Sequence, residues 1–162
     1  MARILGVDPG LSGAIVLLDT VFMSLRVFDM PVAKSGPKGR NSLVDGLLAR
    51  HVEALGDIDL AVIEDVHSMP TDGSSSAFKF GTAFGVIRGI VAAKSIPTVF
   101  IAPNKWKAEV GLIGKDKDAS RGKAVELFPK SANLFARKKD NGRADAALLA
   151  LVAYTKNMDH TR

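Results

Sequence analysis

The 162-residue sequence contains no cysteine. That excludes disulfides, thiolate zinc sites and a cysteine nucleophile. No uninterrupted apolar run reaches the roughly 18–20 residues of a membrane span. There is no G-x-x-x-x-G-K-[ST] loop, and hence no P-loop nucleotide site. The three histidines, His51, His67 and His160, are not at metal-ligand spacing on one helix. With no cysteine nucleophile and no recognised Ser–His arrangement, a covalent intermediate is not expected. Internal repeats, an interdomain linker and low-complexity tracts are also missing. MARILGVDPG, with one arginine before a short apolar run broken by Asp-Pro-Gly, does not read as a signal peptide. The expectation is a single domain over residues 1–162, cytoplasmic and not associated with a membrane.

What is present is a chain 47% hydrophobic with a formal net charge of +5. The charge is uneven: residues 103–143 hold 11 of the 22 Lys and Arg but 5 of the 17 Asp and Glu. A basic segment of this kind suits contact with phosphates, although a solvated surface serving solubility has the same composition.

Residues 3–8, 13–19 and 22–30 read as three strands, the first two joined tightly by Asp-Pro-Gly-Leu-Ser-Gly. KSGPKGRNS, 34–42, reads as a mobile loop. Ser42 is placed to cap a helix over 43–55, where Leu43, Leu47, Leu48 and Val52 recur at helical spacing. Leu60 to Val66 is a fourth strand, 67–76 a loop, 76–94 a helix and IPTVFIA a fifth strand. Helices follow over 103–110, 118–128 and 142–157. Three strands, then strands alternating with helices, make an α/β sheet covered on both faces.

Three carboxylates sit awkwardly in this pattern. Alternation puts Ile4, Gly6 and Asp8 on one face of the first strand, and Leu60, Val62 and Glu64 on one face of the fourth. Asp145 lies in GRADAALLALVAY, a helix apolar nearly all round. A buried unpaired carboxylate costs several kcal/mol. Taken singly, each has an ordinary reading: Asp8 as a turn cap, Glu64 paired with a distant arginine, Asp145 at the positive end of its helix. Taken together, at the same end of two strands and at a helix start, they suit a divalent cation. Hard oxygen donors favour Mg²⁺ or Mn²⁺, and two such ions can drive phosphodiester hydrolysis.

GVDPGLSGAI, AVIEDVHSM, SSSAFKFGTAFGVIRGIVAA, IAPNKWKAEVG and GRADAALLALVAY, in this order, resemble the RuvC-like Holliday junction resolvases over nearly the whole chain. APNKWK, GKDKDASRGKAVELFP and the GRADA form of the last motif are closer to the phage and prophage branch. The resemblance implies a ribonuclease H-like fold: a mixed five-stranded sheet, three antiparallel strands then two parallel ones, with helices on both faces. It implies a homodimer in a bacterial cell that cuts opposed strands of a four-way DNA junction, with two Mg²⁺ or Mn²⁺ ions per site and no nucleotide cofactor.

Residue by residue, the resemblance makes Asp8, Glu64 and Asp145 metal ligands. The family's further acid or histidine, three residues before the last Asp, falls here on Gly142, and Asp140 is taken as the fourth ligand. Capping of the last helix by Asp140 or Asn141 is the alternative. Lys107 and Lys117 match lysines that support catalysis, where a positive charge would stabilise the transition state; contact with the DNA backbone is the alternative. His67 stands where the family has an aromatic wedge, with Met69 as a possible substitute. Lys105, Lys107, Lys115, Lys117, Arg121 and Lys123 are the further candidate DNA contacts. Trp106 reads as a packed anchor, and the helix with Phe78, Phe80 and Phe84 as the dimer surface, although core packing also explains those rings.

DKDASRGKAVE mimics a calcium loop but has Arg121 where glycine belongs and Leu127 where glutamate belongs. Competing functions are a broader nuclease acting on branched DNA, forks or flaps, a non-catalytic junction-binding module, and a sugar kinase or ATPase. The last needs two such domains and more glycine-rich adenine contacts.

Overall fold

The computed structural model describes residues 2–35, 39–67 and 73–159; Met69 and His160 lie outside these. Strands β1 (Arg3–Val7), β2 (Ala14–Asp19), β3 (Ser24–Asp29), β6 (Leu60–Glu64) and β7 (Thr98–Ile101) form one sheet in the order β3-β2-β1-β6-β7. β1, β2 and β3 pair antiparallel, while β6 and β7 run parallel to β1. This is the mixed sheet that the strand pattern and the resemblance both imply.

Alternation along β1 separates two cores. Ile4, with Val16, Leu18 and Val62, joins the cluster under the last helix, α5 (Asn141–Asp159). Leu5 and Val7, with Ile15, Leu17, Ala61 and Ile63, join the cluster under α1 (Asp45–Ala54) and α2 (Ser74–Ala93). Helices α3 (Pro103–Glu109) and α4 (Ala119–Leu127) complete the α5 side through Trp106 and Ala124. Two 3₁₀ turns, Pro129–Phe135 and Lys138–Asp140, lead into α5.

Gly6 explains how α5 lies so close. A Cβ built on it would stand 2.0 Å from the Ala146 carbonyl oxygen, so backbone meets backbone with no side chain between. Gly142, at the helix start, packs likewise on the β1–β2 turn, where a Cβ would be 2.5 Å from the Ser12 oxygen.

Two expectations fail here. Residues 34–42 are not simply a loop: β4 (Val32–Ser35) and β5 (Arg40–Leu43) pair as an antiparallel hairpin outside the main sheet. Its strands are polar and pair only with one another, so no half-buried alternation marks them. Ser42 lies within β5 and does not cap α1, which begins after Val44 without a side-chain cap. α2 is apolar enough by length and composition to cross a membrane, but it carries Lys79 and Arg88 and packs Ala83, Ile87 and Val91 inward.

Candidate active site

The parallel register of β1 and β6 places the first two acids side by side. Val7 pairs with Ile63, and one step further along each strand come Asp8 and Glu64. Adjacent strands lie about 4.8 Å apart, and both acids face α5. The close approach of α5 at Gly6 then brings Asp145, one residue before Ala146, over the same strand ends. Gly13 closes the turn behind Asp8; a Cβ there would lie 2.8 Å from the Asp8 Cγ.

Each acid is held by one neighbour and left exposed to the fields of the others. Asp8 Oδ1 accepts the Gly10 backbone N–H at 3.1 Å, so the turn-cap geometry is real and occupies one oxygen. Burial nonetheless pushes its carboxyl up to about 7, with the Glu64 and Asp145 charges adding to the shift. Glu64 is buried, and its Oε1 accepts the indole N–H of Trp106 at 2.9 Å. Burial raises its pKa, Asp145 adds to that, and the Trp106 hydrogen bond and Lys107 oppose it. Asp145 is raised by burial against a hydrogen bond from Ser120 and the charge of Lys107. Its Oδ1 is buried and has no hydrogen-bond partner.

Lys107 is thus the cation whose charge reaches all three acids. Its ammonium lies over the Trp106 ring, 5.4 Å from the centroid. Trp106 is fully buried, as expected for an anchor, and its N–H adds a link to Glu64 that sequence separation concealed.

The acids open on two sides. A cleft of about 460 Å³ is lined by Asp8, Asp145 and Asn141 and by Lys107, Lys115, Lys117, Lys138 and Lys139. Beyond Asp8, a second hollow of about 310 Å³ includes Glu64, His67, Ser76 and Phe80. His67 is exposed there, 3.7 Å from Asp65. A hard anion cluster between lysines can hold a divalent cation on its oxygens and a phosphate on its ammonium groups. The donor set and the orphaned Asp145 oxygen fit such an ion. Among the described residues, no three acids or histidines are drawn together as tightly as one ion's coordination shell requires.

Other expected residues lie elsewhere. Asp140 is not a cleft residue. It is 1% exposed, and its carboxylate receives the Arg137 backbone N–H at 2.8 Å, Arg137 Nε at 3.0 Å and Arg137 Nη2 at 2.7 Å. Arg143 stands 3.6 Å away. Burial opposes its charge, but these arginine contacts hold its carboxyl below the usual range. Asp140 therefore serves the turn before α5, as the capping alternative has it, and the fourth-ligand assignment falls. Arg121 is turned inward, paired with Asp118 at 3.1 Å and directed at the Phe135 and Ala136 carbonyls. Lys123 is held by Glu126 at 2.9 Å. Neither lines the cleft, and exposed Lys105 does not either. The signal for both pairings was present as oppositely charged residues three apart. Lys138, Lys139, Ser120 and Asn141 were missed as cleft residues. The lysines were legible as part of the basic segment; the neutral pair had no sequence signal.

No family model matches the chain. In sequence it is 33% identical over 103 residues to the chloroplastic Holliday junction resolvase MOC1 of Chlamydomonas reinhardtii, a match over 63% of this chain. The chain spans about a ninth of that protein's length, the match covering 11% of it. Among solved structures, it superposes on Thermus thermophilus RuvC in complex with Holliday junction substrate with a TM-score of 0.67, covering 98% of this chain and 96% of the other at 18% identity. The fold is that of RuvC. The fowlpox virus Holliday junction resolvase is a more distant likeness, with a TM-score of 0.52 at 16% identity over 96% of this chain and 99% of the other. Within the RuvC fold, the three acids of this chain sit at the C-terminal ends of β1 and β6 and at the start of α5, where open α/β sheets bind ligands.

Proposed function

We propose that this protein is a metal-dependent endodeoxyribonuclease that resolves four-way or otherwise branched DNA. The observation that carries the reading is the convergence of Asp8, Glu64 and Asp145, each raised by burial and by like charge or facing it, beside a lysine-lined cleft. The RuvC fold and the MOC1 match agree with it. Asp8, Glu64 and Asp145 would hold Mg²⁺ or Mn²⁺. When bound, a pair of such ions supplies charge that stabilises both the attacking and the leaving oxygen of a phosphodiester.

The chain's own residues supply the remainder. Trp106 and Ser120 orient Glu64 and Asp145. Lys107 places a positive charge where negative charge gathers in the transition state. Lys115, Lys117, Lys138 and Lys139 line a track for the phosphate backbone, which fixes the strand without reading its sequence. His67, exposed at the rim of the second hollow, is positioned to stack on an unpaired base.

A homodimer belongs to this reading, since two opposed cuts need two sites. α2 supports it: Phe78 is 76% exposed, and Phe84 contacts Phe100 of β7, which is half exposed beside Val99. These residues leave exposed apolar surface on α2 and on the edge strand for a second copy to cover, with Arg88 lying over the Phe84 and Phe100 rings. A cytoplasmic setting, bacterial or phage-borne, is part of the same proposal.

Single-turnover cleavage in Mg²⁺ of an immobile four-way junction, a fork and a linear duplex tests this function, with sedimentation of the same sample reporting its mass. Paired opposed cuts confined to the junction, by a protein of twice the chain mass, are expected. Equal cutting of fork and junction would favour the broader branched-DNA nuclease. Junction binding without cleavage in Mg²⁺ or Mn²⁺ would leave only a binding module.

A further inference from the structure

The start of α5 offers the cleft a donor that is not an acid. Asn141 and Asp145 are four residues apart, on one face of the helix, and both line the cleft with Asp8. The Asn141 backbone is helical, with φ −56° and ψ −43°. Its side chain therefore lacks the extended geometry of an N-cap residue, and Asp140 already accepts the Arg137 backbone N–H. The Asn141 amide is among the groups that hold the Asp118 carboxyl low, as an NH₂ facing that carboxylate would. This charge favours the amide's orientation, because a flip would set its oxygen toward a carboxylate. The opposite end, Oδ1, is buried and has no hydrogen-bond partner, as is Oδ1 of Asp145 one turn on. A buried acceptor without a donor costs about 1–3 kcal/mol. Two such oxygens on one helix face beside Asp8 both lack a partner, and a single divalent cation can accept both as donors. Neighbouring positions cannot answer it: Asp140 is saturated by arginine, and Gly142 has no room for a side chain.

We propose that Asn141, through Oδ1, is the fourth oxygen donor of the divalent-metal centre. This rests on the metal centre proposed above and makes that centre less negative than four carboxylates would. A neutral donor also leaves its affinity for the ion independent of its own protonation.

Calorimetric titration of the full chain with MnCl₂ in the absence of DNA tests this. Wild type is expected to bind Mn²⁺, Asn141→Ala to bind about ten-fold or more weakly, and Asn141→Asp, which keeps an oxygen in place, to bind at least as tightly as wild type. Circular dichroism of each variant shows whether the fold survives, and the Asp variant decides if the Ala variant is unfolded: loss of Mn²⁺ binding by folded Asn141→Asp overturns the assignment. Unchanged affinity in folded Asn141→Ala also overturns it while leaving the three-acid centre intact. Absence of Mn²⁺ binding by wild type overturns both. Normal Mn²⁺ binding with the expected variant pattern, but no junction cleavage, supports the assignment and removes the nuclease reading alone.

Discussion

Asp140 and Asp145 stand on consecutive turns of one chain segment and live in opposite environments. Around Asp140, Arg137 and Arg143 supply more donors than one carboxylate can use, and Asp29 takes the surplus, bound by Arg143 through Nε at 2.5 Å and Nη2 at 2.7 Å. The Arg143 bonds hold Asp29 below the usual carboxylate range, and Asp29 in turn raises Arg143. Around Asp145, Asp8 and Glu64 add charge of the same sign, and among the described residues only Lys107 opposes all three. The first group is a closed ion network that fastens the start of α5 to the end of β3. The second is left in deficit. The fold therefore separates anchoring from chemistry within six residues of sequence: one cluster of acids is finished within the protein, the other needs something from outside it.

The sharpest way to break this comparison is to neutralise one acid from each side. Asp8→Asn is expected to lower single-turnover junction cleavage about a thousand-fold, roughly 4 kcal/mol of barrier. Asp140→Asn, assayed at 25 °C, below its lowered melting temperature, is expected to change it less than about ten-fold. Similar losses in both would erase the distinction.

Stability separates the two groups next, and with opposite signs. Asp140→Ala is expected to cost about 2 kcal/mol in urea unfolding near neutral pH, because Arg137 is half exposed and loses only part of its compensation. Asp8 behaves in reverse. Its folded value of about 7 lies above the ordinary 3.8, so between those values the native state binds more protons than the unfolded chain. Metal-free stability from this group therefore falls as pH rises from about 4 to about 7 and is flat beyond. Asp29 and Asp140, held low, contribute stability above the ordinary carboxylate range that is lost as pH falls through their folded values. The metal-free protein should be most stable at about pH 4, where the low-held acids are ionised and Asp8 still gains from its proton, and Asp8→Asn should gain about 1–2 kcal/mol at pH 8. A stability curve that rises steadily to pH 8 in the metal-free protein would refute this.

The smallest effect concerns Trp106, the one tryptophan. Its hydrogen bond to Glu64 should make its fluorescence change on addition of Mg²⁺, and Trp106→Phe should weaken Mn²⁺ binding by about three- to ten-fold. A spectrum indifferent to the ion would mean that Glu64 is not engaged.

Much of the sheet could be read from sequence because its strands are short apolar runs bounded by polar or turn-forming residues, as in RILGV before Asp-Pro-Gly and LAVIE between Asp59 and Asp65. The three central acids were legible for a related reason: a carboxylate closing an apolar strand is costly enough to demand an explanation. The β4–β5 hairpin was not, since its strands bury no common face. Asp140 was misjudged by proximity along the chain, when arginines three residues to either side already pointed to its partners. Asn141 carries no charge and follows no periodic pattern; only its unpartnered Oδ1 and its place on the cleft wall single it out.

The glycine contact between β1 and α5 has a consequence for how this site tolerates change. Where side chains separate a helix from a sheet, each substitution in that layer resets the spacing. Here Gly6 meets the Ala146 carbonyl directly, so the gap between the element bearing Asp8 and the one bearing Asp145 is a main-chain dimension. Core residues further along α5, such as Leu149 and Val152, can vary in volume and tilt the far end of the helix about this contact. The separation of the two acids stays where the backbone sets it.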